Sequence, residues 1–283
     1  MDAVDVAFTE AAVGAGISTI LMLTTITMTG RYENEKRYHP KIALSVVVIT
    51  GIMLIFGTVD MPAFGADTAP AQVHVAPYYI MQSGEDIDIP NIVTSVLASY
   101  RGFDTFGEVV VVFTALIGVL GLLEFSRKGS ELGNRPAPMF QHKVLRIVSK
   151  ILIPAIMLFA LYVQFHGEYS PGGGFQAGVI FASSIILYAM LFGVEQARKA
   201  VSMPVTKILA ALGVLIYGSV GVVSMLNGGN FLNYSVLAEN DITGQHVGII
   251  IIELGVGITV ATAMILIFLT FARRIGKNSE ETA

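Results

Sequence analysis

Seven long apolar runs alternate with polar stretches along the chain. They cover residues 4–29, 42–59, 107–125, 147–165, 175–194, 205–226 and 247–272. Each comes near or beyond the roughly 20 helical residues that cross a bilayer core of about 30 Å. Every backbone group in lipid needs a partner, and a helix supplies one within its own segment. The runs do not alternate every second residue, which excludes the roughly ten-residue strands of a lipid-facing barrel. The pattern predicts an all-α integral membrane protein with seven transmembrane helices. A short helix lying on the outer surface is expected at residues 89–100, within the long polar loop 60–106.

The polar stretches set the orientation. Sixteen of the 17 Lys and Arg residues fall in, or at the helix ends bordering, the first, third and fifth interhelical loops and the C-terminal tail. Seven crossings put all of these on one side, and Arg101 alone lies opposite. Basic loops stay cytoplasmic, so the N-terminus is expected outside and the C-terminus in the cytoplasm, in the inner (cytoplasmic) cell membrane. The run RKGSELGNRPAP within residues 127–139 has linker composition. It divides a three-helix region, 1–126, from a four-helix region, 140–283.

Composition agrees. Only 13% of the 283 residues are charged and the mean hydropathy is +0.70, about half the charge of a soluble domain. A net charge of −4 without a long basic run speaks against nucleic acid as a partner. The absence of cysteine excludes disulfides, thiolate catalysis, and iron–sulfur or zinc sites built on thiolates. The start, MDAVD, lacks the basic n-region of a signal peptide, so the first apolar run is expected to be retained.

Charged residues within the apolar runs are the candidates for chemistry, since one at mid-membrane costs on the order of 2.5–3.5 kcal/mol. Asp5 and Glu10 sit five apart in the outer half of the first run and point to different faces. Asp104 and Glu108, four apart at the mouth of the third, share one helical face. Glu253 lies two turns into the seventh run, between IIII and LGVG, where no capping role suits it. His246 precedes it on nearly the same stripe, at a boundary where an ordinary histidine is the commoner occupant and a proton relay the alternative. Asp5 could instead be a helix N-terminal charge, and Asp104 and Glu108 could cap their helix or pair with Arg101.

Pro171, Gly172, Gly173 and Gly174 open the fifth run. Their amides could converge on an anion or an acidic side chain; close backbone packing is the plainer reading. Without a following Lys-Ser or Lys-Thr the turn is a poor phosphate loop. The glycines at 14, 16, 255 and 257 read as helix–helix contact points. No zinc-protease motif, evident haem site or helix-seven retinal lysine is present, and neither a cofactor nor a metal is expected.

Two stretches carry a resemblance. DVAFTEAAVGAG from Asp5 and RGFDTFGE from Arg101 resemble the C-terminal region of the large A subunit of Mrp-type multisubunit sodium/proton antiporters. From about Phe140 the chain resembles the B subunit, through His166-Gly167, PGGGFQAG from Pro171, and ELGVG from Glu253. Related segments occur in the membrane arm of energy-converting hydrogenases. The chain is thus similar to a fusion in which the C-terminal piece of an A subunit precedes a B subunit.

The resemblance implies a transport subunit rather than an enzyme, working with A-, C- and D-type subunits in the bilayer and passing H⁺ and Na⁺. It assigns ion transfer to the acids matching Asp5, Asp104 and Glu108. Gly14 departs from the family, where many A subunits carry glutamate; Glu10 stands one turn earlier. The helices that precede Asp5 in the family, and its membrane lysines, are expected from another chain. A hydrogenase-type membrane arm and a purely structural scaffold are the alternatives.

Overall fold

The computed structural model describes residues 4–28, 39–63, 65–124 and 142–278. The linker expected at 127–139 lies outside them. Seven described helices are long and apolar enough to cross a membrane: Val4–Leu23, Pro40–Thr58, Gly102–Leu123, Lys143–His166, Gly174–Phe192, Met203–Leu226 and Asp241–Ala272. They coincide with the seven apolar runs, and the chain is a multi-pass membrane protein.

Two compact units form, Gly30–Gln82 and the remainder, Met1–Thr29 with Ser83–Ala283. The smaller holds α3, Pro40–Thr58, which opens on a proline and buries none of its side chains within the unit. A helix apolar all round suits lipid or a neighbouring protein chain. A π-helical turn, Ala71–Val75, then leads into α4, Ala76–Asp86. The sequence pattern shows only loop there.

In the larger unit the first crossing is α1, Val4–Glu10, a π-helical segment, Ala11–Ile17, and α2, Ser18–Met28. π-Helical turns inside α-helices cluster at functional sites. Gly14 and Gly16 lie in this segment and make no close interhelical approach among the described residues. A Cβ at Gly14 would meet only the Glu10 carboxyl, at 3.4 Å, and one at Gly16 only the Ala11 carbonyl.

The short helix expected at 89–100 forms over 92–100, with one face buried. Asn91 caps α5, Ile92–Thr94, which continues as a π-helical segment, Ser95–Tyr100. Ile87, Ile89, Thr94, Ser95 and Ala98 are buried. Apolar residues on its inner face draw the segment into the core. Next comes α6, Gly102–Glu124, five residues earlier than the apolar run implied, because Asp104 in the first turn suits the helix dipole.

The remaining helices are α7, Lys143–His166; α8, Gly174–Phe192; the short α9, Val194–Ala200; α10, Met203–Leu226; and α11, Asp241–Asn278. α11 is the axis of the unit and packs on α6, α8 and α10. Against α10 the backbones close at Gly213 and Gly255: a Cβ on Gly255 would stand 2.7 Å from the Gly213 carbonyl. In lipid such small-residue contacts replace the hydrophobic effect as the source of helix association.

Tyr217 and Tyr234, both fully buried, hold the bend between the segment Ser95–Tyr100 and α6. Tyr217 donates to the Gly102 carbonyl at 2.7 Å and Tyr234 to that of Ala98 at 3.0 Å. Burial raises the pKa of the Tyr234 phenol. The phenol therefore keeps its donor proton.

Candidate functional site

Asp5 is a buried acid on α1, and its partners come from two distant segments. Its Oδ1 accepts the Gly172 backbone N–H at 3.0 Å, and the Asn91 side-chain amide lies 3.4 Å from both carboxylate oxygens. The amides of the glycine turn therefore receive an acidic side chain of the same chain. A carboxylate held by N–H donors is stabilised as a charge-assisted acceptor.

Asn91 is the hub of this arrangement. Its Oδ1 caps α5 through the Val93 N–H at 3.1 Å. Its Nδ2 donates to the carbonyls of Gly167 at 3.0 Å and Ser170 at 3.2 Å, while its own backbone N–H donates to the Glu168 carbonyl at 3.1 Å. Thr94 adds a 2.7 Å hydrogen bond to the Gly167 carbonyl. The loop between α7 and α8 is thus tied down by side chains, as buried backbone polar groups require.

That loop fixes Glu253. Gly173 takes φ of +118°, a conformation natural to glycine. A Cβ there would stand 3.0 Å from Glu253 Oε1, and one at Gly174 would strike the Glu253 backbone carbonyl. The turn glycines thus meet an acidic side chain and let α8 close on α11. Glu253 itself is half-buried.

A cavity of about 200 Å³ lies between these elements. Asp5, Glu108 and Glu253 line it from three helices, together with Thr9, Thr94 and Thr105. Each threonine hydroxyl donates to a backbone carbonyl, those of Asp5, Gly167 and Leu97 respectively. Their protons are committed, so they offer lone pairs to whatever occupies the cavity.

The other candidates stand apart. Glu10 is exposed and does not line the cavity. Asp104 shares a helix face with Glu108 yet turns to Arg101, paired at 2.6 Å on the surface. His246 faces a residue that the charge pattern does not single out: its Nδ1 lies 3.2 Å from Oε2 of Glu168. Sequence reasoning missed both Glu168 and Asn91. The signals were an acid three residues before the Pro-Gly turn, and an Asn directly before an apolar run, the usual N-cap signature.

Residues 144–266 match the profile of the domain related to the MnhB subunit of Na⁺/H⁺ antiporter. Antiporter subunit mnhB2 of Staphylococcus aureus (strain Newman) is 35% identical over 133 residues, which are 46% of this chain and 93% of that protein. The chain belongs to the MnhB family. Its other parts match different profiles: residues 1–31 that of the D subunit of MBH, and residues 37–138 that of its E subunit. The MnhB-family fold recurs in the Mrp complex from Dietzia sp. DQ12-45-1b, with a TM-score of 0.67 and 23% identity over 95% of this chain. That likeness spans only 30% of the Dietzia chain. A chain of the membrane-bound sulfane sulfur reductase, an archaeal respiratory membrane complex, is 28% identical with a TM-score of 0.59. The match covers 82% of this chain and 97% of that one. In this MnhB-family chain, Gly172 and Glu253 of the MnhB segment meet Asp5, from the first of the MBH-like segments, in one cavity.

Proposed function

We propose that this chain is a non-autonomous transport subunit of a multisubunit Na⁺/H⁺ antiporter. In this reading Asp5, Glu108 and Glu253 pass ions through their shared cavity. One observation carries it: three acids from three membrane helices line one partly open cavity, beside threonine hydroxyls that offer acceptor oxygens. A carboxylate taken out of water favours its protonated form, so such an acid can exchange a proton, while the ionised form binds a hard cation. Both H⁺ and Na⁺ suit this lining as cargo. The distribution of basic residues supports an outer N-terminus and a cytoplasmic C-terminus.

The contrast between Glu108 and Asp104 tests the reading. Glu108→Gln should lower pH-driven cation exchange in vesicles carrying the whole complex. Asp104→Asn, at a surface pair, should leave it near wild type. Equal rates for Glu108→Gln and wild type, at equal complex levels, remove Glu108 from the path.

A second reading has its own support in the MBH profiles and the sulfane sulfur reductase chain. The same cavity would then serve the membrane arm of a respiratory complex. Co-purification distinguishes the two: a respiratory complex brings redox subunits with it, an antiporter only membrane subunits.

A further inference from the structure

Glu168 is a buried carboxylate that the cavity reading leaves unused. It sits in the turn between α7 and α8, with 9% of its surface exposed. Its Oε2 meets His246 Nδ1 at 3.2 Å, while its Oε1 is buried and has no hydrogen-bond partner among the described residues. Leaving a buried carboxylate oxygen unpaired is costly, so the position asks for a function. His246 has 30% of its side chain exposed, so the pair reaches the protein surface.

The pair is joined to the cavity. Glu168's backbone carbonyl holds Asn91, whose amide touches Asp5. We infer that His246 and Glu168 form the proton inlet of the cavity, with His246 collecting the proton and Glu168 delivering it to the acids within. This rests on the reading of the cavity as an ion path.

The step balances without a co-reactant. Imidazolium His246 gives its Nδ1 proton to Glu168 Oε2, leaving neutral imidazole and a neutral carboxyl. Rotation about Cγ–Cδ carries the hydroxyl to the position of Oε1. The proton then passes to an ionised cavity carboxylate, directly or through water, and Glu168 returns to its charged form. The reverse sequence releases a proton.

The test uses the whole complex in vesicles, with Glu253→Gln, Glu168→Gln and His246→Ala measured side by side. Glu168→Gln keeps shape and should slow exchange roughly a hundredfold, the order of a positioned proton-transfer group. His246→Ala should slow it likewise, and added imidazole should restore it, which no merely structural role of the ring would allow. Wild-type exchange by Glu168→Gln, or a slowed His246→Ala that imidazole does not rescue, overturns the inlet. Wild-type exchange by Glu253→Gln instead overturns the cavity reading, whatever the pair does.

Discussion

The backbone N–H of Gly172 donates to the carboxylate of Asp5 at 3.0 Å across 167 residues of sequence. This hydrogen bond joins the first membrane helix to the turn that opens α8, and so sets one wall of the cavity. Asp5→Ala would leave the Gly172 donor buried and unpaired. The expected cost is about 1–3 kcal/mol. A lower melting temperature of the purified complex for Asp5→Ala than for Glu10→Ala, whose parent residue is exposed, would show it. Equal melting would mean that the bond contributes nothing.

Close approach of α8 to α11 depends on Gly174. Gly174→Ala places a methyl against the Glu253 carbonyl and must push the two helices apart. Overpacking of this kind costs about 1–3 kcal/mol. Gly118→Ala in α6, where a Cβ meets nothing within 4 Å, should be neutral or slightly stabilising. Thermal unfolding of the two variants in detergent compares them directly.

Much of this architecture was legible from residue order. Continuous apolar runs located all seven membrane helices, and the isolated acids Asp5 and Glu253 stood out because nothing near them in sequence could neutralise them. Their meeting was not legible, since it depends on a contact between residues 5 and 172 that no local pattern encodes. The π-helical segment Ala11–Ile17 was also invisible, because small and apolar residues there suit either helical period. Asp104 and Glu108 looked equivalent at a spacing of four. Only the structure separates them, by giving Asp104 to Arg101 and Glu108 to the cavity.

Orientation is open to labelling because the chain has no cysteine of its own. Glu85 and Lys199 are both exposed. Glu85→Cys should react with an impermeant maleimide added outside intact cells, and Lys199→Cys only after permeabilisation. Reaction of both from the same side would contradict the seven-crossing topology.

Partner subunits should be needed for stability. Glu10 is exposed in the first crossing, and a charge facing lipid is unfavourable until a neighbouring protein covers it. Expressed without its gene neighbours, the chain should accumulate poorly and catalyse no exchange after reconstitution. Robust sodium/proton exchange by the isolated chain would refute the idea that it works only as part of a complex.

The central claim is that the cavity acids carry the transported ions, and Glu253→Gln tests it most directly. The amide preserves the shape of the side chain between Gly173 and α11 while removing its titratable group. In vesicles holding equal amounts of assembled complex, the account predicts pH-driven cation exchange reduced roughly a hundredfold or more. Exchange at the wild-type rate by a fully assembled Glu253→Gln complex would contradict it.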